Sequence, residues 1–249
     1  MVGLVLEDRA AKLDRARALL GQADRAREQV VERAAPVAGE RMLPVAAPLR
    51  SLLPGGGLRR GATVEVGGST ALMLALLAEA SSEGAWSALV GLPEVGLVAA
   101  AEAGLALERL ALVPDPGPDL VAVTAALLDG LDLVVVAGGQ RLPAGARQRL
   151  AARARRNGSV LLPFGSWPGA DLRLGVQESR WQGLGGAGAG RLRCRQVRVR
   201  GTGRGSAHQT RSTTVLLPGP DGRAVHQSHP VSRVGRGDRP PATSAREAG

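Results

Sequence analysis

From Ala62 onward the chain alternates short β-favouring apolar runs with longer segments of helical spacing. Runs at Ala62 to Val66, Trp86 to Val90, Arg109 to Val113, Leu131 to Val136 and Ser159 to Leu162 predict strands. Segments Ser69 to Ser81, Glu94 to Gly104, Asp119 to Leu128 and Ala144 to Arg156 predict the helices between them, with Pro or Gly at most junctions. Strands alternating with helices call for an α/β fold whose parallel sheet is closed by right-handed crossovers. Leu133-Val134-Val135-Val136 is apolar at every position, as a central strand covered on both faces must be. After Phe164 the pattern changes to Gly-separated strand-like runs, Asp171 to Trp181, Arg191 to Arg200 and Ser212 to Leu217, which extend the sheet antiparallel at one edge.

The two ends read differently. Glu7 to Ala35 predicts a helix with a thin stripe at Leu6, Ala10, Leu13, Ala16, Leu20, Ala23, Ala26 and Val30. Half of that stripe is alanine and buries little, so the segment is either a solvated arm on the core or a helix that docks on a partner. Pro36 to Pro48 reads as a linker. Beyond Pro218 apolar residues are scarce among Gly, Pro, Ser, Arg and Asp, which predicts a disordered tail. The expected organisation is an N-terminal helix and linker over 1–44, a core over 45–217 and a tail over 218–249.

Composition narrows the chemistry. The formal charge of +10 in 249 residues points toward a polyanion. Part of that signal is compositional, because Lys12 is the one lysine and the remaining positive charge is arginine in an Ala- and Gly-rich chain. Cys194 is the single cysteine, which excludes an intramolecular disulfide and a cysteine-based metal site and fits a cytoplasmic protein. No apolar run approaches the length of a membrane span, and Leu4-Val5-Leu6 is too short for a signal sequence.

The stretch Leu53 to Ala80 parses as turn, strand, glycine pair and helix. Val64 and Val66 flank Glu65, Gly67 and Gly68 break the run, and Ser69 or Thr70 caps the helix. A nucleotide-binding fold places its phosphate loop there. Such a loop needs about four more residues, followed by Lys and then Ser or Thr, so that successive amides wrap the phosphates. A helix N-terminus alone contributes only about 0.3 to 1 kcal/mol to a nearby anion, against roughly 8 kcal/mol for micromolar binding. Gly67, Gly68, Ser69 and Thr70 therefore read as a degenerate phosphate loop, and no cofactor is expected.

Here the sequence resembles the RecA core, whose first strand is entered through a Gly-Gly-Leu-x-x-Gly turn, present as Gly56-Gly57-Leu58-Arg59-Arg60-Gly61. Leu107 to Gly117 is similar to the third RecA strand and its exit, and Leu131 to Val136 to the Walker B strand. The resemblance places Ala137 where the magnesium-linked Asp would stand, and Pro93, with Glu94 one step off, where the catalytic Glu would stand. Within that superfamily Leu-Pro-Gly-Gly-Gly-Leu-Arg-Arg-Gly from Leu53, Val90-Gly91-Leu92-Pro93, Trp167 to Leu174 and Trp181 to Gly185 resemble the actinobacterial ImuA-like proteins, over roughly Val45 to Pro218. The resemblance implies a non-catalytic partner of the polymerase-related ImuB protein and of an error-prone replicative-type polymerase, which together copy damaged DNA in the SOS response. It carries over no catalytic residue.

Other chemistries have thinner support. Serine or cysteine catalysis needs a nearby base, and His208, His226 and His229 all lie past the main α/β pattern. Cys194 reads as a small side chain in a strand. Arg191, Arg193, Arg195, Arg198 and Arg200 are the nucleic-acid candidates, with Arg204 and Arg211 following in a Gly-rich turn. Strand alternation sends Arg191, Arg193 and Arg195 to one face and Arg198 and Arg200 to the other, unless a bulge near Gln196 realigns them. The competing reading is an edge strand decorated with solvated arginine against aggregation. Trp167 and Trp181 are the aromatic side chains placed to stack on bases, although core packing is expected of both. In the helix Ala144 to Arg156, Leu142, Ala146, Leu150 and Ala154 form the buried side and Arg147, Arg149, Arg153, Arg155 and Arg156 a solvated one. Two other function classes remain open, a stand-alone DNA-binding module and a cell-division inhibitor similar to SulA, which is RecA-related without a phosphate loop. Neither a membrane nor a small-molecule substrate is expected as partner.

Overall fold

The structure, a computed structural model, describes residues 42–184, 190–204 and 209–227. The helix expected over Glu7 to Ala35, His208, His229 and the tail from 228 lie outside the described residues.

Among the described residues the fold is α/β, built on a sheet of nine strands in the order β11-β10-β9-β8-β3-β7-β6-β4-β5. In chain order β3 is Val64–Gly67, β4 Ser87–Val90, β5 Leu110–Val113, β6 Leu133–Ala137 and β7 Val160–Phe164. All five run parallel, and β3 also pairs parallel with the start of β8, Leu172–Leu184. Strands β9 (Gly190–Gly203), β10 (Arg211–Leu216) and β11 (Val225–His226) then continue the sheet antiparallel. Helices α1 (Thr70–Ser82), α2 (Leu97–Ala103), α3 (Leu120–Gly130) and α4 (Ala144–Asn157) occupy the crossovers.

The every-position apolar run of β6 has the cause expected of it. Leu133 and Val135 enter the core shared with α1 and α2, whereas Val134 and Val136 enter the core shared with α3 and α4. Period-2 alternation splits β4 in the same way, Leu89 to one side and Ala88 and Val90 to the other. Helix α1 is buried almost all round, from Leu72 to Ala78 and again at Ala80 and Ser81. The buried Ser81 hydroxyl is satisfied by accepting from Ala106 N at 3.0 Å. Helix α2 is shorter than the periodicity predicts, because Pro93 to Gly96 forms the turn ahead of it and Gly104, at φ 104°, ends it.

Two expectations about the ends are corrected. Residues 42–48 are not linker. β1 (Met42–Leu43) pairs antiparallel with β2 (Leu58–Arg59), a 3-10 turn follows at Ala47–Leu52, and Leu43, Val45, Leu49, Leu52 and Leu53 are buried. Pro44 and Pro48 mimic linker composition, yet the segment supplies side chains that close one side of the sheet. Residues 218–227 are likewise structured: β11 pairs with Val215 and Leu216, and Ala224 packs against the same core.

Candidate functional site

The Gly67-Gly68-Ser69-Thr70 junction lies at the C-terminal end of β3, where an open α/β sheet places its ligand crevice. Gly67 closes the strand, Gly68 takes φ +51°, and Ser69 is already the N-cap of α1. Ser69 Oγ accepts from Leu72 N at 3.3 Å, and Ser69 O accepts from Met73 N at 3.0 Å. A single residue therefore separates strand from cap, and the Ser69 hydroxyl is turned back onto its own helix. Thr70, in the first turn, is exposed.

The flanking strand ends complete the picture. Ala137 ends β6 half-buried, and its Cβ would lie 3.6 Å from a Cβ built on Gly91 at the end of β4. Pro93 and Glu94 are exposed in the turn beyond β4. Lys12 lies outside the described residues.

One polar cluster at this end was not legible beforehand. Glu65, on β3 between buried Val64 and Val66, accepts from Trp167 N at 2.8 Å and pairs with Arg173 Nε on β8 at 3.2 Å. Trp167 is 1% exposed and lies against Gly139, so the turn after β7 is pinned across the sheet end by a carboxylate and an indole together. The signal in the sequence was a lone acid at the middle of an otherwise apolar strand.

The arginine strand is β9. Between Gln196 and Gly201 it pairs with β10 without interruption, and the register shift with β8 falls between Val176 and Glu178 on the partner strand. No bulge at Gln196 realigns the charges. Val197 and Val199 point into the core, so Arg198 and Arg200 occupy the opposite, exposed face. Arg198 pairs with Glu178 at 3.6 Å, both largely exposed, which makes it a weak contact. Arg195 falls on the valine side but beyond the end of the core, opposite Trp181, with its guanidinium 5.9 Å from the ring centroid. Arg191 and Arg193 are exposed in the irregular stretch where the register shifts again, between Gln182 and Leu184. Arg204 is exposed, and Arg211 Nη1 donates to Leu53 O at 3.2 Å.

Trp181 departs from the core packing expected of it. It is 48% exposed, while Trp167 is in the core as expected. Cys194 is buried beside Gln182, with Sγ 3.4 Å from Oε1. On α4, Ala146, Leu150 and Ala154 are buried and Leu142 packs half-buried beside them. Arg149, Arg155 and Arg156 are exposed, whereas Arg147 Nη1 donates back to Leu142 O at 2.6 Å and Arg153 grips Asp129 on α3 with two hydrogen bonds. Asn157 Nδ2 also donates to Asp129 Oδ1, at 2.8 Å. Those bonds, Arg153 first, hold the Asp129 carboxyl below the usual aspartate range.

Among the described residues no cluster of His, Cys, Asp or Glu is arranged to hold a metal, and His226 is exposed on the edge strand β11. Among the same residues no helix is long and apolar enough to cross a membrane.

Comparison with known proteins gives three results. The family model of the MT3502 N-terminal domain matches residues 51–169. The chain is 38% identical over 169 residues to uncharacterized protein Rv3395c of Mycobacterium tuberculosis, covering 63% of this chain and 83% of that protein. Among solved structures it is similar to the crystal structure of the RadB recombinase, with a TM-score of 0.52 and 16% identity over 73% of this chain and 97% of that one. At that identity the likeness concerns the fold, which is RecA-like.

Proposed function

Because the chain belongs to the family of the mycobacterial protein Rv3395c, and its residues 51–169 match the model of the MT3502 N-terminal domain, we propose that it is a non-catalytic, RecA-like accessory protein of mutagenic translesion DNA synthesis. In this reading it is an ImuA-like adaptor that bridges an ImuB-like, polymerase-related protein and an error-prone polymerase. The observation that carries the reading is the strand-to-helix junction itself. Where a RecA-type nucleotide site needs a loop of amides, one glycine joins β3 to a helix whose cap Ser69 bonds inward.

Two further positions support it: Ala137, where the magnesium-linked acid would stand, and Pro93, where the catalytic acid would stand. An amide array this short leaves a phosphate little more than the helix N-terminus, about 0.3 to 1 kcal/mol. A protein of this kind acts by contact. It stabilises an assembly with binding free energy alone and spends none of it on turnover.

The test is copurification of the full chain with the ImuB-like protein and with the error-prone polymerase. Recovery with at least one of them is the expected outcome. A chain that ignores both removes the adaptor reading.

A further inference from the structure

A binding site of another kind sits at the opposite edge of the parallel sheet from β5. Strands β8 and β9 run on past their neighbours: β3 pairs with β8 only from Leu172 to Gly175, and β10 pairs with β9 only from Gln196 to Gly201. What projects beyond β3 is a two-stranded arm with Trp181 on one strand and Arg195 opposite it on the other, at the point where the segment after β10 makes its last backbone bonds to β9.

Three features of the arm belong together. First, Trp181 leaves 48% of its surface in water, although burying an indole is among the largest apolar gains open to a fold. Its neighbours two residues away along the strand, Ser179 and Gly183, are too small to cover it. Second, the ring is held in place. Arg195 lies over it, and the Arg195 backbone is fixed by the segment after β10, its N–H donating to Pro218 O at 2.9 Å and its carbonyl accepting from Leu217 N at 2.6 Å. Third, Arg191 and Arg193, on the facing strand beyond Arg195 toward the end of the arm, are exposed and without a carboxylate partner among the described residues. The sequence holds no acidic residue between Glu178 and Asp221, and Glu178 is engaged by Arg198.

We propose that this arm binds single-stranded nucleic acid, with Trp181 as the platform on which one base stacks and Arg191 and Arg193 as contacts to the phosphates beside it. An exposed, pre-positioned indole beside unpaired arginines is the pairing of π-face and positive charge that single strands select. A duplex keeps its base faces stacked inward and offers the indole nothing to stack on. Protein interface cores, by contrast, are depleted of charge. The site lies apart from the β3–α1 junction and needs neither polymerase partner, so it goes beyond the adaptor reading and stands or falls separately from it.

The experiment is a titration of the full chain with a fluorescent dT oligonucleotide, followed by anisotropy and by tryptophan fluorescence. An abasic oligonucleotide of equal length and a duplex serve as competitors. The expected result is tryptophan quenching by dT and an affinity loss in Trp181→Ala of roughly 5- to 150-fold, the range for one stacked base. Trp181→Phe recovers most of the affinity but not the quenching, because the reporting indole is gone. The abasic strand, which needs no variant, binds the parent chain about as weakly as dT binds Trp181→Ala. Replacing Arg191 and Arg193 together by Gln flattens the dependence of log affinity on log salt by about 0.7 for each phosphate no longer neutralised. The proposal is overturned if dT does not bind at low salt, if the abasic strand binds the parent chain as well as dT does, or if Trp181→Ala leaves affinity unchanged.

Discussion

Replacing Gly139 with alanine would put a methyl group inside the Trp167 indole. A Cβ at position 139 lies 2.6 Å from Trp167 Cε3, where carbon atoms in contact sit about 3.5 to 4.0 Å apart. Gly139 has no left-handed backbone to relax, so the effect is steric alone. The ring has little room to yield: it is 1% exposed, packs in the core beneath α3 and α4, and its backbone N–H is tied to Glu65 at 2.8 Å. Clearing the overlap takes a shift of roughly 1 Å, and overpacking of this kind costs about 1 to 3 kcal/mol. For a chain of this size each kcal/mol lowers Tm by about 2 to 4 °C, which gives a drop of about 2 to 12 °C. The assay is a double-mutant cycle in urea with Trp167→Phe, whose smaller ring removes the clashing atoms. Trp167→Phe alone destabilises by leaving a cavity, and the double variant should be more stable than the sum of the two costs by at least about 0.5 kcal/mol. Strict additivity, or a neutral Gly139→Ala, would refute the geometry.

Two further expectations follow from polar contacts. Asp132 accepts from Arg60 Nη1 at 2.8 Å and from Trp86 N at 3.0 Å, so Asp132→Ala orphans a backbone donor and an arginine together; a loss of about 2 to 4 kcal/mol in urea unfolding is expected, with Asp132→Asn costing less, and equal losses would contradict the assignment. The Arg153 hydrogen bonds lower the Asp129 pKa on folding, so their contribution is present above the unfolded value near 3.8 and is lost as pH falls through the lower folded value. Both side chains are more than a third exposed, which limits that contribution to about 0.2 to 1 kcal/mol; the gap in urea midpoint between the parent chain and Arg153→Ala should close at low pH, and a gap of equal size at neutral and acid pH would exclude the pair as its source.

Much of the architecture was legible because apolar periodicity reports burial directly. β6 reads as central since both its faces are covered, and the junctions of the parallel strands carry the glycines that turn the chain. The elements that escaped have a common cause: their burial comes from partners distant in sequence. Val45 and Leu49 sit among prolines and owe their place to the far side of the sheet, and β11 is two residues long and exists only through Val215 and Leu216. The Gly67-Gly68 junction was visible as a shortened loop, but not the inward turn of the Ser69 hydroxyl. The role of Glu65 is not legible in the strand because its two partners, Trp167 and Arg173, lie about a hundred residues away. Core packing is the natural expectation for Trp181, since one strand alone does not reveal that it runs on past its neighbours.

The central claim, assembly by contact without nucleotide, is tested most directly by analytical size exclusion of the full chain with the ImuB-like protein, with and without Mg-ATP, and with ADP assayed across the peak. The account predicts coelution that is the same in both conditions and no ADP above a protein-free blank. A complex that forms only with Mg-ATP, or ADP production that follows the chain through the column, would contradict it.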